Sequence, residues 1–242
     1  MDFRPATLKE RKEFYDKEFK ISKVGSFFNN KPQLLAIDAG TDTGIIRNKK
    51  DIWSLFYLKY NELKDMIDTY VPEDIYYDRN IYSNVNWRLK HLDKKVFGTK
   101  HCLGQELCFD IDPENVPCNC KTKYPWFCEK CLRATIPFGI KLTNKLKEDF
   151  RKIQLVYTGR GCHVHVFDTK AYSLNLKERK ILNNKVKKYC IDPWVSEGNI
   201  HLIRLPYSLN GLVSRIVLPL TLKQAESFDP VTNEKIIPKF LK

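Results

Sequence analysis

The chain has 242 residues, which suffices for a sizeable hydrophobic core in one or two domains. Lys and Arg number 42 against 29 Asp and Glu, for a formal net charge of +13 at pH 7. This excess favours nucleic acid as the partner over a membrane surface, because no basic segment carries a strongly apolar face. No apolar run approaches the length of a transmembrane helix. Residues 1–19 lack a signal core, so we expect a cytoplasmic, nucleoid-associated protein in a prokaryote and a nuclear one in a eukaryote.

The first half of the chain alternates predicted helices and strands. Residues 7–19 predict a helix, residues 33–38 a strand, and the "IIR" run at 45–47 a short strand. Asp51 is a suitable N-cap for a second long helix. Apolar residues at helical spacing support that helix: Ile52, Leu55, Phe56, Leu63, Met66 and Ile67.

The second half predicts more strands. Residues 106–112, 153–159, 162–168, 199–206 and 214–220 have strand character, while helices are predicted at 139–150 and 174–190. The helix at 174–190 has these apolar residues as its expected buried face: Leu176, Ile181, Leu182, Val186 and Tyr189. Because helices and strands intermix without a repeated strand–helix period, the pattern indicates an α+β fold. We expect one domain over 1–242, a mixed or largely antiparallel sheet flanked by helices.

Two carboxylates, Asp110 and Asp112, alternate with hydrophobic residues in the predicted strand "LCFDID". Side chains two residues apart share one face of a strand, so these aspartates repel each other unless a cation neutralises them. Mg²⁺ and Mn²⁺ prefer such oxygen ligands. Taken alone, the pattern also fits a solvent-facing strand edge with two ordinary aspartates.

A glycine-bounded turn, "TGRG", precedes the strand "CHVHVFD". Gly159 and Gly161 would let the backbone approach a phosphate closely, with Arg160 and His163 as ligands. His163 and His165 share a face and are also a candidate metal pair. No third ligand stands at matching spacing in the sequence.

Four of the eight cysteines are clustered, with the spacing C-x-C-x7-C-x2-C, and predict one structural Zn²⁺ site within a knuckle at 113–135. The ligands would be Cys118, Cys120, Cys128 and Cys131. Five residues between them are basic or aromatic and could contact a nucleic-acid strand by charge and stacking, although Trp126 fits equally well beneath the knuckle. These residues are Lys121, Lys123, Tyr124, Trp126 and Lys130. The scattered cysteines are predicted to be small core residues: Cys102, Cys108, Cys162 and Cys190.

The order of "FDID", "YTGRGCHVHVFD" and "IHLIRLPYSLNG" resembles the catalytic small subunit of archaeo-eukaryotic DNA primases. The resemblance covers residues 105–233 and includes the zinc knuckle after the paired aspartates and "FDPVTN" near the end. Before residue 105, only "GIIR" resembles a family segment, and its arginine is Arg47.

The resemblance implies that Asp110, Asp112 and Asp192 bind two catalytic ions, Mg²⁺ or Mn²⁺. Asp168 competes with Asp192 as the third ligand, and Glu197 is a weaker candidate. The implied contacts to the triphosphate are Arg47, Thr158, Arg160, His163, Arg204 and Ser208. One departure is Asn210, which stands where the family has a phosphate-binding histidine; an amide can hydrogen-bond a phosphate but carries no charge.

The implied activity is template-dependent synthesis or extension of primers on single-stranded DNA from nucleoside triphosphates. A primase large subunit is an implied partner. The preference between ribonucleotides and deoxyribonucleotides stays open. One alternative is a repair-type polymerase of the same superfamily, which extends ends or fills gaps. Another is an inactive zinc-bearing subunit that only binds nucleic acid.

Overall fold

The computed structural model describes residues 3–28, 32–40, 55–118, 120 and 127–242. Several predicted features lie outside these ranges: the strand at 45–47 with Arg47, the cap at Asp51 with Ile52, and Lys121, Lys123, Tyr124 and Trp126. Within the described residues, no helix is both long and apolar enough to cross a bilayer.

The helices and strands are named in chain order. The α-helices are α1 Leu8–Lys17, α2 Ile21–Phe27, α3 Leu63–Tyr70, α4 Val85–Leu89, α5 Glu129–Leu146, α6 Thr169–Tyr172, α7 Leu176–Val186, α8 Pro193–Ser196 and α9 Leu222–Glu226. The strands are β1 Leu35–Asp38, β2 Leu55–Leu58, β3 Asp74–Asp78, β4 Asn80–Tyr82, β5 Cys102–Gln105, β6 Leu107–Ile111, β7 Ile153–Tyr157, β8 Cys162–Val166, β9 Leu202–Arg204, β10 Leu209–Asn210, β11 Arg215–Ile216 and β12 Leu218–Leu220.

The described strands form two main sheets and a separate β4–β5 pair. One sheet has the order β11-β10-β3-β1-β2, with β9 also paired to β3, and the other has the order β12-β7-β8-β6. Every pairing between these strands is antiparallel. The predicted α+β fold with a largely antiparallel sheet is confirmed.

Strand β6 is buried on both faces, which explains why it contains so few polar residues. Leu107, Phe109 and Ile111 belong to the core that contains α5 and α7. Cys108 points the other way, into the core formed with β1, β3 and β9. The face that carries Cys108 and Asp110 therefore lies against the first sheet, as strand alternation requires.

The predicted helix over residues 52–67 is wrong in its first part. Residues Leu55–Leu58 form strand β2, and the helix starts only at Leu63. In β2 the backbone pairs with β1, from Leu55 opposite Asp38 to Leu58 opposite Leu35. Backbone pairing with β1 thus gives this segment a strand conformation, although its apolar spacing favoured a helix.

Helix α5 starts at Glu129, ten residues before the predicted start at Gly139. Pro137 lies inside it. The cysteine-rich segment therefore leads directly into the longest described helix, because Cys128 is the N-cap and its Sγ accepts the N–H of Cys131.

The buried face of α7 also differs from the prediction. Leu176 and Ile181 are 44% and 50% exposed, whereas Arg179 is fully buried. The Arg179 guanidinium donates to the carbonyls of Leu174, Ser196 and Gln105. An arginine whose three guanidinium nitrogens each donate to a backbone carbonyl can replace a hydrophobic side chain at a helix contact.

Candidate active site

Three aspartates converge where β6 ends. Asp110 lies in β6 and pairs with His163 of β8 across the antiparallel ladder. Asp112 follows β6 directly and caps a 3₁₀ turn at Pro113–Asn115. The backbone N–H of Asp192 donates to the carbonyl of Asp110 at 2.8 Å, which brings a segment from a distant part of the chain to the same place.

The electrostatics of this cluster suit a cation. Burial raises the pKa of Asp110 to about 7, and the nearby charge of Asp192 adds to the shift. Burial likewise raises the pKa of Asp112 to about 7, with repulsion from Asp110 as the second cause. Asp110 Oδ1 is buried and accepts no hydrogen bond from the described residues. Buried carboxylates that repel each other and lack hydrogen-bond donors are suitable ligands for a divalent cation that prefers oxygen, such as Mg²⁺ or Mn²⁺.

The "TGRG" turn packs against the acidic end of β6. Its two positions 159 and 161 require glycine for different physical reasons. Gly159 has φ of +96°, a left-handed conformation that favours glycine. Gly161 lies so close to β6 that a Cβ would meet the carbonyl oxygen of Ile111 at 2.4 Å. The turn closes through Thr158, whose hydroxyl accepts the N–H of Gly161.

Arg160 at the tip of this turn is held by carboxylates. Its guanidinium makes two hydrogen bonds to Glu114, at 2.7 and 2.9 Å, and one to Asp112 at 3.0 Å. Glu114 was missed in the sequence, although its position two residues after Asp112 in "DPEN" was the available signal. Arg160 is therefore placed beside the acidic cluster, with its charge balanced in this state.

His163 lies on the same side. Its Nε2 is 3.3 Å from Asp110 Oδ1. Burial lowers the pKa of His163 to about 4, so the ring is neutral at physiological pH. A neutral imidazole offers hydrogen bonds to a phosphate without adding positive charge.

The "HLIRLPYSLNG" segment contributes unevenly. The positive charge of Arg204 acts on Asp110 and partly offsets the rise of its pKa. Arg204 also forms an ion pair with Asp74 of β3. The hydroxyl of Ser208 is buried and donates to the carbonyl of Leu205. The amide Nδ2 of Asn210 donates to the carbonyl of Thr158 at 2.9 Å. Ser208 and Asn210 therefore both donate to backbone carbonyls, Ser208 within its own segment and Asn210 in the "TGRG" turn.

Of the two rival carboxylates, Asp168 lies away from the cluster. Asp168 accepts the backbone N–H groups of Arg151 and Lys152, beyond the end of β8 opposite to the cluster. Along the strand this is roughly 15 Å from His163. Glu197 ends α8, where its N–H bonds to the carbonyl of Pro193. Of the three candidates, the geometry brings Asp192 to Asp110 and gives Asp168 a structural role.

Sequence comparison finds relatives over nearly the whole chain. The chain is 37% identical to an uncharacterized DNA primase small subunit-like protein of Archaeoglobus fulgidus, over 98% of this chain and 91% of that protein. The chain belongs to the DNA primase small subunit family. This confirms the resemblance to archaeo-eukaryotic primases that the motifs indicated. No family model matches the chain.

Other members of this family are longer. The chain is 32% identical to the DNA primase small subunit PriS of Thermococcus sibiricus, over 75% of this chain and 50% of that protein. It is 30% identical to PriS of Pyrococcus abyssi, over 74% of this chain and 49% of that protein. The chain thus spans about half the length of these two relatives.

A solved structure shares the primase-like fold. The polymerase domain of Mycobacterium tuberculosis Ligase D in complex with DNA superposes with a TM-score of 0.53, at 10% identity, over 96% of this chain and 89% of that one. At this identity the likeness concerns the fold alone.

The cysteine cluster of this primase-family chain fits a metal. Sγ–Sγ distances are 3.8 Å for Cys118–Cys128, 3.4 Å for Cys120–Cys131 and 3.1 Å for Cys128–Cys131. A tetrahedral site with Zn–S bonds of about 2.3 Å has edges of about 3.8 Å. The four thiols are free of disulfides and lie within 4.8 Å of one another. The donor set and its spacing therefore fit Zn²⁺.

The acidic cluster makes the stability of the metal-free chain depend on pH. Asp110 and Asp112 have pKa values raised from 3.8 to about 7. Between pH 4 and 7, roughly the pKa values in the unfolded and folded states, the folded state binds more protons than the unfolded state. The free energy of unfolding therefore falls as the pH rises through this range. Mn²⁺ competes with those protons. We therefore expect 5 mM Mn²⁺ to raise the melting temperature by several degrees at pH 8 and by almost nothing at pH 5.

Thermal melting with and without Mn²⁺ at the two pH values measures this effect. The Asp110→Asn variant is the control, because it keeps the shape of the side chain and should lose most of the Mn²⁺ shift at pH 8. An equal shift at pH 5 and pH 8 in the unmodified chain would contradict the cation site.

Proposed function

We propose that this chain is a template-dependent nucleotidyltransferase of primase type, which starts or extends a primer on single-stranded DNA from nucleoside triphosphates. The observation that carries the proposal is the convergence of Asp110, Asp112 and Asp192 beside the turn that holds Arg160 and His163. The 37% identical relative, a primase small subunit-like protein, supports the same reaction class.

In this proposal the three aspartates hold two divalent cations. When bound, such ions polarise the α-phosphate and make the primer 3′-hydroxyl a better nucleophile. Asp110 and Asp192 come from segments joined by a backbone hydrogen bond, so their spacing is set by the fold rather than by flexible side chains. A rigid carboxylate frame reduces the reorganisation needed when substrate arrives.

The triphosphate would lie against the "TGRG" turn. Arg160 supplies a planar, permanently charged donor group that fits phosphate oxygens. His163 supplies a neutral N–H donor between the turn and Asp110. Arg204 adds positive potential from the opposite sheet, where Asp74 fixes its orientation.

The deciding experiment is a primer-synthesis assay. The chain is incubated with single-stranded DNA, Mg²⁺ or Mn²⁺, and labelled NTPs or dNTPs, with and without a primase large subunit. Oligonucleotide products would support the proposal. Extension of a pre-annealed primer or a gapped duplex without any synthesis on unprimed template would identify the repair-type alternative. Binding to single-stranded DNA without any nucleotide addition would identify the inactive alternative.

Glu114 gives a further prediction, because its carboxylate competes with phosphate for Arg160. Glu114→Gln removes this charge and should tighten apparent nucleotide binding severalfold. Arg160→Ala should weaken it by at least about tenfold, since a hydrogen bond to a charged group contributes about 1.5–3 kcal/mol. Both effects are read from the nucleotide concentration at half-maximal primer extension.

Glu148→Gln is the matched control, because Glu148 also pairs with a basic side chain, Lys145, but on an exposed helix end. This variant should leave nucleotide binding unchanged. If Glu114→Gln and Arg160→Ala both behaved like the control, Arg160 would not bind the triphosphate.

A further inference from the structure

A second cluster of metal-binding side chains lies beneath the acidic one, at the interface of the two sheets. Cys108, His163 and His165 each contribute one ligand atom, and these atoms lie within 4.8 Å of one another. All three residues are buried, with exposures of 0%, 7% and 0%. Cys108 of β6 lies directly opposite His165 of β8 in the ladder. The strand pairing therefore supplies the third ligand that the histidine pair lacks in the sequence.

The hydrogen bonds of His165 determine which nitrogen is available. Its Nδ1 is 2.8 Å from Oε1 of the buried Glu106 and 3.0 Å from the hydroxyl of Tyr77. The Tyr77 hydroxyl also donates to Glu106. Since a carboxylate accepts, the ring proton is on Nδ1. Nε2 then carries a lone pair, and it is buried without a hydrogen-bond partner among the described residues.

His163 also has a carboxylate beside one ring nitrogen. Its Nε2 is 3.3 Å from Asp110 Oδ1, but the contact does not have the geometry of a hydrogen bond. Its Nδ1 is buried and has no hydrogen-bond partner in the part of the chain that the structure describes. Both histidines thus have a carboxylate beside one ring nitrogen and a buried second nitrogen with no hydrogen-bond partner among the described residues.

The cluster contains too few donors to satisfy these nitrogens. The Cys108 thiol has a single proton, and its Sγ is 3.9 Å from the carbonyl of Phe109. It can therefore satisfy at most one of the two imidazole lone pairs. A cation satisfies both lone pairs and the sulfur together. Histidine ligands in metal sites commonly have a carboxylate on the second nitrogen, as Glu106 provides for His165.

We propose that Cys108, His163 and His165 bind a borderline metal ion of the Zn²⁺ class. One thiolate and two imidazoles suit Zn²⁺, whereas Mg²⁺ and Mn²⁺ prefer oxygen. The bound ion keeps the His163 proton on Nε2, next to Asp110, and so fixes this ring as a donor towards the acidic cluster. This ion is distinct from the one at the four-cysteine site and from the catalytic cations.

Metal analysis of the whole chain tests the proposal. The protein is saturated with Zn²⁺, passed through a desalting column, and its zinc content is measured by mass spectrometry. We expect two zinc ions per chain, one of them at the four-cysteine site. Cys108→Ala should lose one equivalent, and so should His165→Gln. Cys162→Ala is the matched control, because Cys162 is a buried cysteine of β8 that belongs to the other core and donates to the Thr135 carbonyl.

Substitution with Co²⁺ gives an independent readout. Cys128→Ser removes most of the signal from the four-cysteine site, and the remaining thiolate-to-cobalt absorption should disappear on adding Cys108→Ala. Circular dichroism reports whether each variant is folded. Equal zinc content in the unmodified chain, Cys108→Ala and His165→Gln would overturn the proposal, whatever the outcome of the polymerisation assays.

Discussion

Replacing Asp110 or Asp192 with asparagine should reduce nucleotide addition by at least about a thousandfold, because each change removes a charged ligand of the proposed catalytic cations. The two residues are 82 positions apart in sequence but share a backbone hydrogen bond in the structure. Asparagine preserves size and leaves this backbone contact in place. The loss should therefore appear in the maximal rate, measured by extension of a labelled primer at saturating nucleotide.

The same variants should not unfold the protein. Burial and mutual repulsion raise the pKa of Asp110 to about 7, so its charge destabilises the metal-free fold at pH 8. Asp110→Asn should accordingly raise the melting temperature at pH 8 in the absence of divalent cations.

Asp168→Asn is the control for the third ligand. Asp168 accepts two backbone N–H groups far from the cluster, so its replacement should lower the melting temperature and leave most of the activity. If Asp168→Asn abolished polymerisation while Asp192→Asn retained it, the assignment of Asp192 would be wrong.

Cys128→Ser should release the structural zinc and lower the melting temperature by ten degrees or more, on the order expected when a structural metal site is lost. Cys128 is the N-cap of α5, and its Sγ lies 3.1 Å from Cys131 and 3.8 Å from Cys118. Losing this ligand weakens the metal site and the start of the longest described helix together.

Cys190→Ser is the comparison for this variant, since Cys190 is only partly buried and lies outside the cluster. It should retain zinc and melt within about two degrees of the unmodified chain. Purified protein that contains no zinc, or a Cys128→Ser variant with unchanged zinc content and stability, would contradict the knuckle.

Local patterns were sufficient for much of the candidate site. Alternation in "LCFDID" predicted a strand that carries Asp110, and predicted Cys108 as a small core residue; the structure confirms both. The glycines of "TGRG" predicted a close approach of the backbone to a phosphate, and the approach that the structure shows is that of Gly161 to the carbonyl of Ile111. Such features depend on the period of a strand or on the size of one side chain, and both are readable along the chain.

Apolar spacing was less reliable. Leu55 and Phe56 belong to a set of apolar residues with helical spacing, but residues 55–58 form β2 because β1 offers an edge for backbone pairing. In α7, Arg179 is buried in place of the expected Leu176, because its guanidinium donates to three backbone carbonyls, two of them from distant segments. Spacing reports where apolar residues are, whereas burial also depends on what polar partners the rest of the fold provides.

The sequence by itself determined the acidic pair, the glycine-bounded turn and the four-cysteine spacing, because each is encoded within a short segment. The order of elements and motifs along the chain was enough for the fold class and the family. Only the tertiary structure decided which partners meet across long separations. It joined Asp192 to Asp110, Glu114 to Arg160, and Cys108 to the histidine pair. These contacts follow from strand register and sheet packing, which are set by the free energy of the whole core and not by any local pattern.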